Sequence, residues 1–311
     1  MLSRVADSLY WMSRYFERAD HNARVLDANY NLMLNPSKVS TEQRWQRITA
    51  SLGLGAEATE LEPMAAMIKL ISDSQIRSSI VSCISSAREN ASQVREQISS
   101  EMWEQLNQLY HEVSHSASNL GPRAEPQRFI SVIREGSYIF HGVTHATMNH
   151  GEAWQFIRLG RYLERAGALP SLLDAVFCAS SGADDLDWVG LLSSCSAFEA
   201  YCKVYTADLK PERVAEFLLL NPEFPYTVRF STEEMQMALE AIARSSSTRK
   251  GAHIEKIIGR LRSSLAYAQI DDIMSKDFQR FLRSITEQCN SLHAALHEIY
   301  IEYPVQSAFE A

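Results

Sequence analysis

The residues best placed for chemistry lie in two near-copies of one phrase, RYFERA at 14–19 and RYLERA at 161–166, which differ only at Phe16 and Leu163. In each copy an arginine and a glutamate stand three residues apart, Arg14 with Glu17 and Arg161 with Glu164. A second arginine follows each glutamate, Arg18 and Arg165. A guanidinium holds a carboxylate through two parallel hydrogen bonds, and a glutamate accepts from ammonium and amide groups. An amino acid or a peptide end offers both partners. The first copy continues with Asp20, Arg24 and Asp27 at spacings of four and three, which keeps them on one helical face. In the second copy Gly167 and Ser171 stand where the first has Asp20 and Arg24, so those extra charges belong to the first copy alone.

Two arrangements satisfy this spacing. In one, the charges pair along their own helices at the rim of the core, each pair contributing about 0.3 kcal/mol. In the other, the two helices bring Glu17 and Glu164 together in a partly buried polar seam. Buried charge is costly unless paired, so a seam of that kind implies a ligand or a partner. A catalytic version would use Glu17 or Glu164 as a general base raised by burial, with an arginine on a carboxylate or oxyanion. The nearby arginines oppose it, because they lower a glutamate pKa.

The elements that must position these residues are helices. Met12, Phe16, Ala19, Ala23, Leu26 and Tyr30 recur at alternating steps of four and three, which predicts one long helix over 4–34, ended by NPSK at 35–38. Leu159, Leu163, Ala166, Leu173 and Phe177 form the matching stripe of a helix over 152–178, where Pro170 is expected to kink the helix or start a new one. Further helices are predicted over 41–52, 62–72, 76–98, 100–117, 126–148, 186–205, 211–220, 231–246, 251–270 and 276–302. Loops are predicted at 118–126, 180–185, 221–225 and 245–251, and PEFPYTVRF (222–230) reads as an extended aromatic run. No alternating, β-branched run predicts a strand. The fold class is therefore all-α, a bundle of long antiparallel helices, with the repeat suggesting two duplicated halves packed as one domain over 1–311.

Composition narrows the function. A formal charge of −8 argues against a general affinity for nucleic acid or anionic membranes. Five scattered cysteines without a CxxC pair suit a reduced, cytoplasmic protein, and Cys195 and Cys202, seven apart, read as buried structural thiols. The N-terminus lacks the pattern of a signal peptide, and no apolar run reaches membrane-spanning length. His111/His115, His141/His145 and His293/His297 have the i, i+4 spacing of metal-gripping pairs. A di-iron bundle needs two Glu-x-x-His motifs, however, and only EVSH at 112–115 is present. These histidines read as ordinary helix residues, and no metal or cofactor is expected. Walker A, GxGxxG and GxSxG sequences are absent.

Five blocks in order, LSRVADSLYWMSRYFERADHNARVLD, SARENASQVREQISSEMWEQLN, GEAWQFIRLGRYLERA, FEAYCKVY and PERVAEFLLLNPEFPYTVRF, resemble the bacterial alpha-E family over nearly the whole chain. Its later block usually continues with a second acidic, arginine-bearing turn, which GALPSLLD replaces here. The resemblance implies an all-helical protein that works with, or is fused to, a circularly permuted ATP-grasp ligase. Such proteins often stand beside a transglutaminase-like protease and sometimes a proteasome-like peptidase. That setting implies a cytoplasmic system that makes, attaches or trims peptides through amide bonds. The matching motif residues are Arg14, Glu17, Arg18, Asp20, Arg24, Asp27, Arg88, Glu89, Asn90, Arg161, Glu164 and Arg165. The expected function is an accessory subunit that binds the ligase and a peptide or amino-acid ligand. The alternative is an enzyme of amide-bond chemistry that uses Glu17 and Glu164.

Overall fold

A computed structural model describes residues 1–33, 40–54, 61–118, 126–178, 184–245 and 251–301. Every regular element among them is helical. In chain order these are α1 (Ser3–Met33), α2 (Thr41–Ser51), α3 (Pro63–Ser72), α4 (Ile80–Ser92), α5 (Ser100–Ser118), α6 (Pro126–Thr147), α7 (Glu152–Phe177), α8 (Asp185–Ser194), α9 (Phe198–Tyr205), α10 (Pro211–Leu220), α11 (Val228–Ser245), α12 (Ala252–Ala266), α13 (Ile270–Lys276) and α14 (Phe278–Leu296).

The periodic stripes found their places. Met12, Phe16, Ala19, Ala23 and Leu26 are all buried on α1, and Leu159, Leu163, Ala166 and Leu173 on α7. No new helix starts at Pro170, since α7 runs through it to Phe177. A proline inside a helix forfeits one backbone bond, at a cost of roughly 3 kcal/mol. Burial of Leu169, Leu172 and Leu173 on either side of Pro170 offsets that loss.

Helix direction is where the structure departs from a simple antiparallel bundle. α1 and α7 lie side by side and run parallel. The Met1 ammonium meets Glu152 at 3.0 Å. Gly160 lies against Tyr10 and Ser13. At the far end Asn29 and Leu32 border one small gap with Leu172 and Val176. The separation along the chain that divides the two phrases, 147 residues (14 to 161), is thus also the packing register.

The flanking helices are antiparallel to this pair. Ser8 bonds Gln93, just past the end of α4, while Asn22 bonds the Ser78 carbonyl just before its start. On α6, Phe140 stacks on Phe16 and Arg134 bonds Asp27. Against α7, Arg158 meets Glu234 and Tyr162 meets Phe230 of α11, while Phe156 meets Tyr300 and Phe177 meets Phe278. The long helices α1, α4, α5 and α6 pack in a ring, and α7, α11, α12 and α14 pack in the same order. Four reversals of direction separate α1 from α7, which returns α7 to the direction of α1.

Three predicted helices differ in their bounds. The one over 76–98 begins only at Ile80, where the Ser79 hydroxyl accepts from Ser82 N. The one over 186–205 breaks at Ser196, whose φ of 50° leaves the helical region. The one over 276–302 begins only at Phe278, after Asp277, whose carboxylate caps α14 by accepting from Arg280 N. The aromatic run after α10 is a tight turn rather than extended chain, because Asn221 Oδ1 accepts from Glu223 N and Phe224 N. The predicted break at 35–38 lies outside the described residues, as do 119–125 of the loop predicted over 118–126, 180–183 of that over 180–185 and 246–250 of that over 245–251.

Candidate functional site

The parallel register sets each copy of the phrase against the other. Arg14 Nε donates to Glu164 Oε2 at 2.7 Å, and Arg18 Nε donates to Glu164 Oε1 at 2.6 Å. Reciprocally, Arg165 Nε donates to Glu17 Oε1 at 2.6 Å, and Arg161 Nε lies 3.5 Å from Glu17 Oε2. The arginines therefore pair across the helices, not along them. Each glutamate is clamped by the two arginines of the opposite helix. Glu17 is 1% exposed and Glu164 8%.

Burial pushes the Glu164 carboxyl up, but the Arg14 and Arg18 guanidiniums outweigh it and hold the group below its ordinary value. Glu164 is therefore a fixed anion and not a base poised near neutrality.

The extra charges of α1 extend the clamp on one side. Arg24 Nε donates to Asp20 Oδ2 at 2.9 Å, and the Tyr226 hydroxyl donates to the same oxygen at 2.9 Å. Burial raises the Asp20 carboxyl, and Arg24, Tyr226 and Arg165 together bring it below its usual range. Two cations lie over the Tyr226 ring, with the Arg165 guanidinium carbon 3.8 Å and that of Arg24 4.4 Å from its centroid. Arg165 Nη1 donates to the Pro225 carbonyl at 2.9 Å, and Arg24 Nη1 donates to Ser196 Oγ. The break before α9 thus places one group on the seam, and the turn before α11 places two.

Other motif residues go elsewhere. Asp27 accepts from Arg134 of α6. Arg88 bonds Asn107 of α5 at 2.7 Å and lies over Tyr110. Asn90 donates back to the Ser86 carbonyl of its own helix, and the Glu89 carbonyl accepts from Ser92. Arg88 therefore stands at the α4–α5 contact, while Glu89 is exposed and Asn90 bonds within α4, so this block lies apart from the clamp. Conversely, Tyr226, Tyr10, His141, His293 and Arg77 belong to the site or its walls without having been picked out for that role. Their one common signal is a polar or aromatic residue on a helix flank or turn, which many residues share.

Two histidines approach the clamp. His293 Nδ1 lies 2.8 Å from the Tyr10 hydroxyl and 3.3 Å from Arg14 Nη1. Burial, with Arg14 and His297 adding to it, lowers its pKa to about 4. His141 Nε2 lies 3.8 Å from Glu17 Oε2. Burial and then Arg161, Arg165 and Arg24 keep its pKa well below the usual value. Glu17, Asp20 and His141 each turn one ligand-type atom to a common point, with all three atoms within 4.8 Å of one another. Three arginines surround that point, however, and a cation there would face their charge. Its mixed donors and acceptors suit an ordered water better than a metal.

The clamp is open to solvent on the Glu164 side. A cleft of about 880 Å³ has Arg14, Arg18 and Glu164 in its floor and Asn22, Arg77 and His293 in its walls. Three guanidiniums face one carboxylate among its lining residues, so this cleft of an acidic chain is locally positive. The Cys289 thiol at its edge is pushed up to about 12 by burial and is no nucleophile at neutral pH.

A family profile described as a predicted alpha-helical domain with a conserved ER motif matches residues 1–301. The chain belongs to the Alpha-E family. It writes Glu-Arg at 17–18, 164–165 and 212–213, and the first two are the dipeptides that exchange partners across α1 and α7. This Alpha-E chain is similar to uncharacterized proteins of Mycobacterium tuberculosis and Mycobacterium bovis, each 21% identical over 319 residues. The match covers 95% of the Alpha-E chain and 36% of each relative, so the chain spans about a third of their length. No solved structure matches it. Among the described residues, no helix is long and apolar enough to cross a membrane.

Proposed function

We propose that the chain is the ligand-binding accessory module of a cytoplasmic amide-bond-forming system, in which an ATP-grasp ligase supplies the ATP-driven step. The observation that carries this reading is the 880 Å³ cleft over the Arg14–Glu164–Arg18 clamp. Its excess of guanidinium suits a carboxylate, and Glu164, Asn22 and Asn290 offer acceptors to an ammonium or amide. A peptide or an amino acid presents both.

Binding is favoured over catalysis by the state of the groups in the cleft. Glu164 is held ionised, His293 is neutral at physiological pH and the Cys289 thiol is suppressed. None of them is a poised base or nucleophile, which the amide-bond enzyme reading of Glu17 and Glu164 requires. The partnership rests on the family resemblance. The relatives' length outside the matched region leaves room for a fused module, and a transglutaminase-like protease would act on the same peptides.

The test pairs the purified chain with the ATP-grasp ligase of its own host. Native mass spectrometry should show a stable complex, and the chain alone should turn over no peptide or amine substrate. Arg18→Gln and Arg77→Gln should weaken peptide binding without loss of helix content. Turnover by the chain alone that disappears in Glu164→Gln would overturn this reading in favour of the enzyme.

A further inference from the structure

The seam has a second cleft that shares no lining residue with the first. It is a more enclosed hollow of about 380 Å³ where α1, α6, α7 and α11 meet. Shifting the sequence by the repeat spacing relates the two. Arg161 is the counterpart of Arg14, and Glu17 of Glu164. Each glutamate takes two arginines from the opposite helix, and each clamp has a histidine from a flanking antiparallel helix, His293 of α14 or His141 of α6. α14 and α6 hold the same place in the packing order of their halves.

The two sides differ in how tightly the outer arginine is held. Arg14 commits its Nε to Glu164 at 2.7 Å. Arg161 keeps its Nε 3.5 Å from Glu17, and neither Arg161 Nε nor Glu17 Oε2 nor His141 Nε2 has a hydrogen-bond partner. Glu17 is already bonded to Arg165 at 2.6 Å. The other cation of this cleft, Arg158, is neutralised by Glu234 at 2.6 Å. Arg161 is therefore a guanidinium with unused donors in the wall of an enclosed hollow. The rest of that wall sets aromatic rings among a few polar side chains. Phe16 and Phe140 stack at 4.1 Å, and Trp154 stacks on His150 at 4.2 Å.

We propose that this hollow is a second ligand site, for a small molecule that carries a carboxylate on a flat apolar body. The carboxylate pairs with Arg161 beside His141, and the body lies along Phe140 and Trp154. The volume is in the range of small-molecule pockets, and burial in the hollow strengthens the single ion pair. The site uses no residue of the first cleft, so it stands apart from the proposed accessory role.

Calorimetric titration of the full chain with 2-naphthoate and with neutral 2-naphthalenemethanol tests it. Naphthoate should bind saturably and about tenfold tighter than the alcohol, the value of one charge-assisted contact. Arg161→Gln should erase that preference, Arg161→Lys should keep most of it, and Arg77→Gln in the first cleft should leave it intact. Trp154→Ala should weaken both probes alike, and it carries the test with Arg161→Lys if Arg161→Gln does not fold. The proposal is overturned by absence of saturable naphthoate binding, by equal affinity for acid and alcohol, by a preference that survives Arg161→Gln, or by a Trp154→Ala chain that binds as before.

Discussion

Ser13 and Gly160 occupy the same place in the two copies, one residue before each phrase, and they face each other at a close approach of α1 and α7. A Cβ added to Gly160 would come within 2.2 Å of Ser13 Oγ and 2.4 Å of the Tyr10 carbonyl oxygen. The hydroxyl can rotate, but the backbone oxygen cannot yield without moving α1. Gly160→Ala should therefore destabilise the fold by about 1–3 kcal/mol despite alanine's better helix propensity. Gly142 is the control, since it lies within α6 and nothing stands within 4 Å of its added Cβ. Gly142→Ala should stabilise by about 0.5–1 kcal/mol. Urea denaturation of both variants decides the matter. A Gly160→Ala chain as stable as the Gly142→Ala chain would mean that the two helices are not packed so closely.

The clamps are related by sequence but unequal in burial, and mutation should expose that. The Arg165 side chain is 3% exposed and Arg18 is 26%. Arg165→Met leaves Glu17 buried with only the distant Arg161, and it should cost about 3–5 kcal/mol. Arg18→Met leaves Glu164 its bond to Arg14 and should cost about 1 kcal/mol or less. Adding Glu17→Gln to Arg165→Met should recover part of the loss, because the stranded charge is removed. Equal costs for the two arginine variants in denaturant titrations would contradict the inequality.

Much of this was legible in the sequence because helical periodicity is a local signal. The stripes of α1 and α7, the repeated phrase and the all-helical class all follow from spacing. The direction of α7 relative to α1 was not, because it depends on the number of reversals between them. Nothing in the phrase distinguishes Arg165, which is buried on Glu17, from Arg161, which stands off it. That difference comes from the Pro225 carbonyl and Tyr226 ring, contributed from 60 residues further along. The block containing Arg88, Glu89 and Asn90 resembles the family as the phrases do. A motif match does not tell which neighbour a side chain meets: Arg88 meets α5, while Glu89 is exposed.

Stability should fall with acid in two stages. Burial is the main cause that lowers His21 and His293 to about 4 from an ordinary value of 6.5. The folded chain therefore binds fewer protons than the unfolded chain between those values. Their contribution is complete above 6.5 and is lost as pH falls toward 4. Glu164 and Asp20 are held below their ordinary carboxylate values of 4.5 and 3.8, so their contribution is present above those values. It is lost at still lower pH, as each carboxylate is protonated in the fold. Calorimetric melting from about pH 8 to about pH 3 should show both stages, and His21→Gln should flatten the upper one. An unchanged upper slope in that variant would indicate that His21 is protonated as readily in the fold as out of it.

Tyr226 ties the turn before α11 to the Glu17 clamp and to the Asp20–Arg24 pair, and its two contacts are separable. The hydroxyl donates to buried Asp20 Oδ2, while Arg165 and Arg24 both lie over the ring. Tyr226→Phe keeps the ring and removes a donor from a buried, ionised acceptor, which should cost about 1–3 kcal/mol. Tyr226→Leu also removes the stacked face from two guanidiniums, adding about 1–2 kcal/mol. If the tyrosine serves chiefly as a hydrogen-bond donor, the two variants will unfold at the same urea concentration. If the ring's contacts with the two arginines matter as the 3.8 Å approach of Arg165 requires, Tyr226→Leu will unfold first. Raising the salt concentration should not close that gap, because a buried cation over a ring is poorly screened.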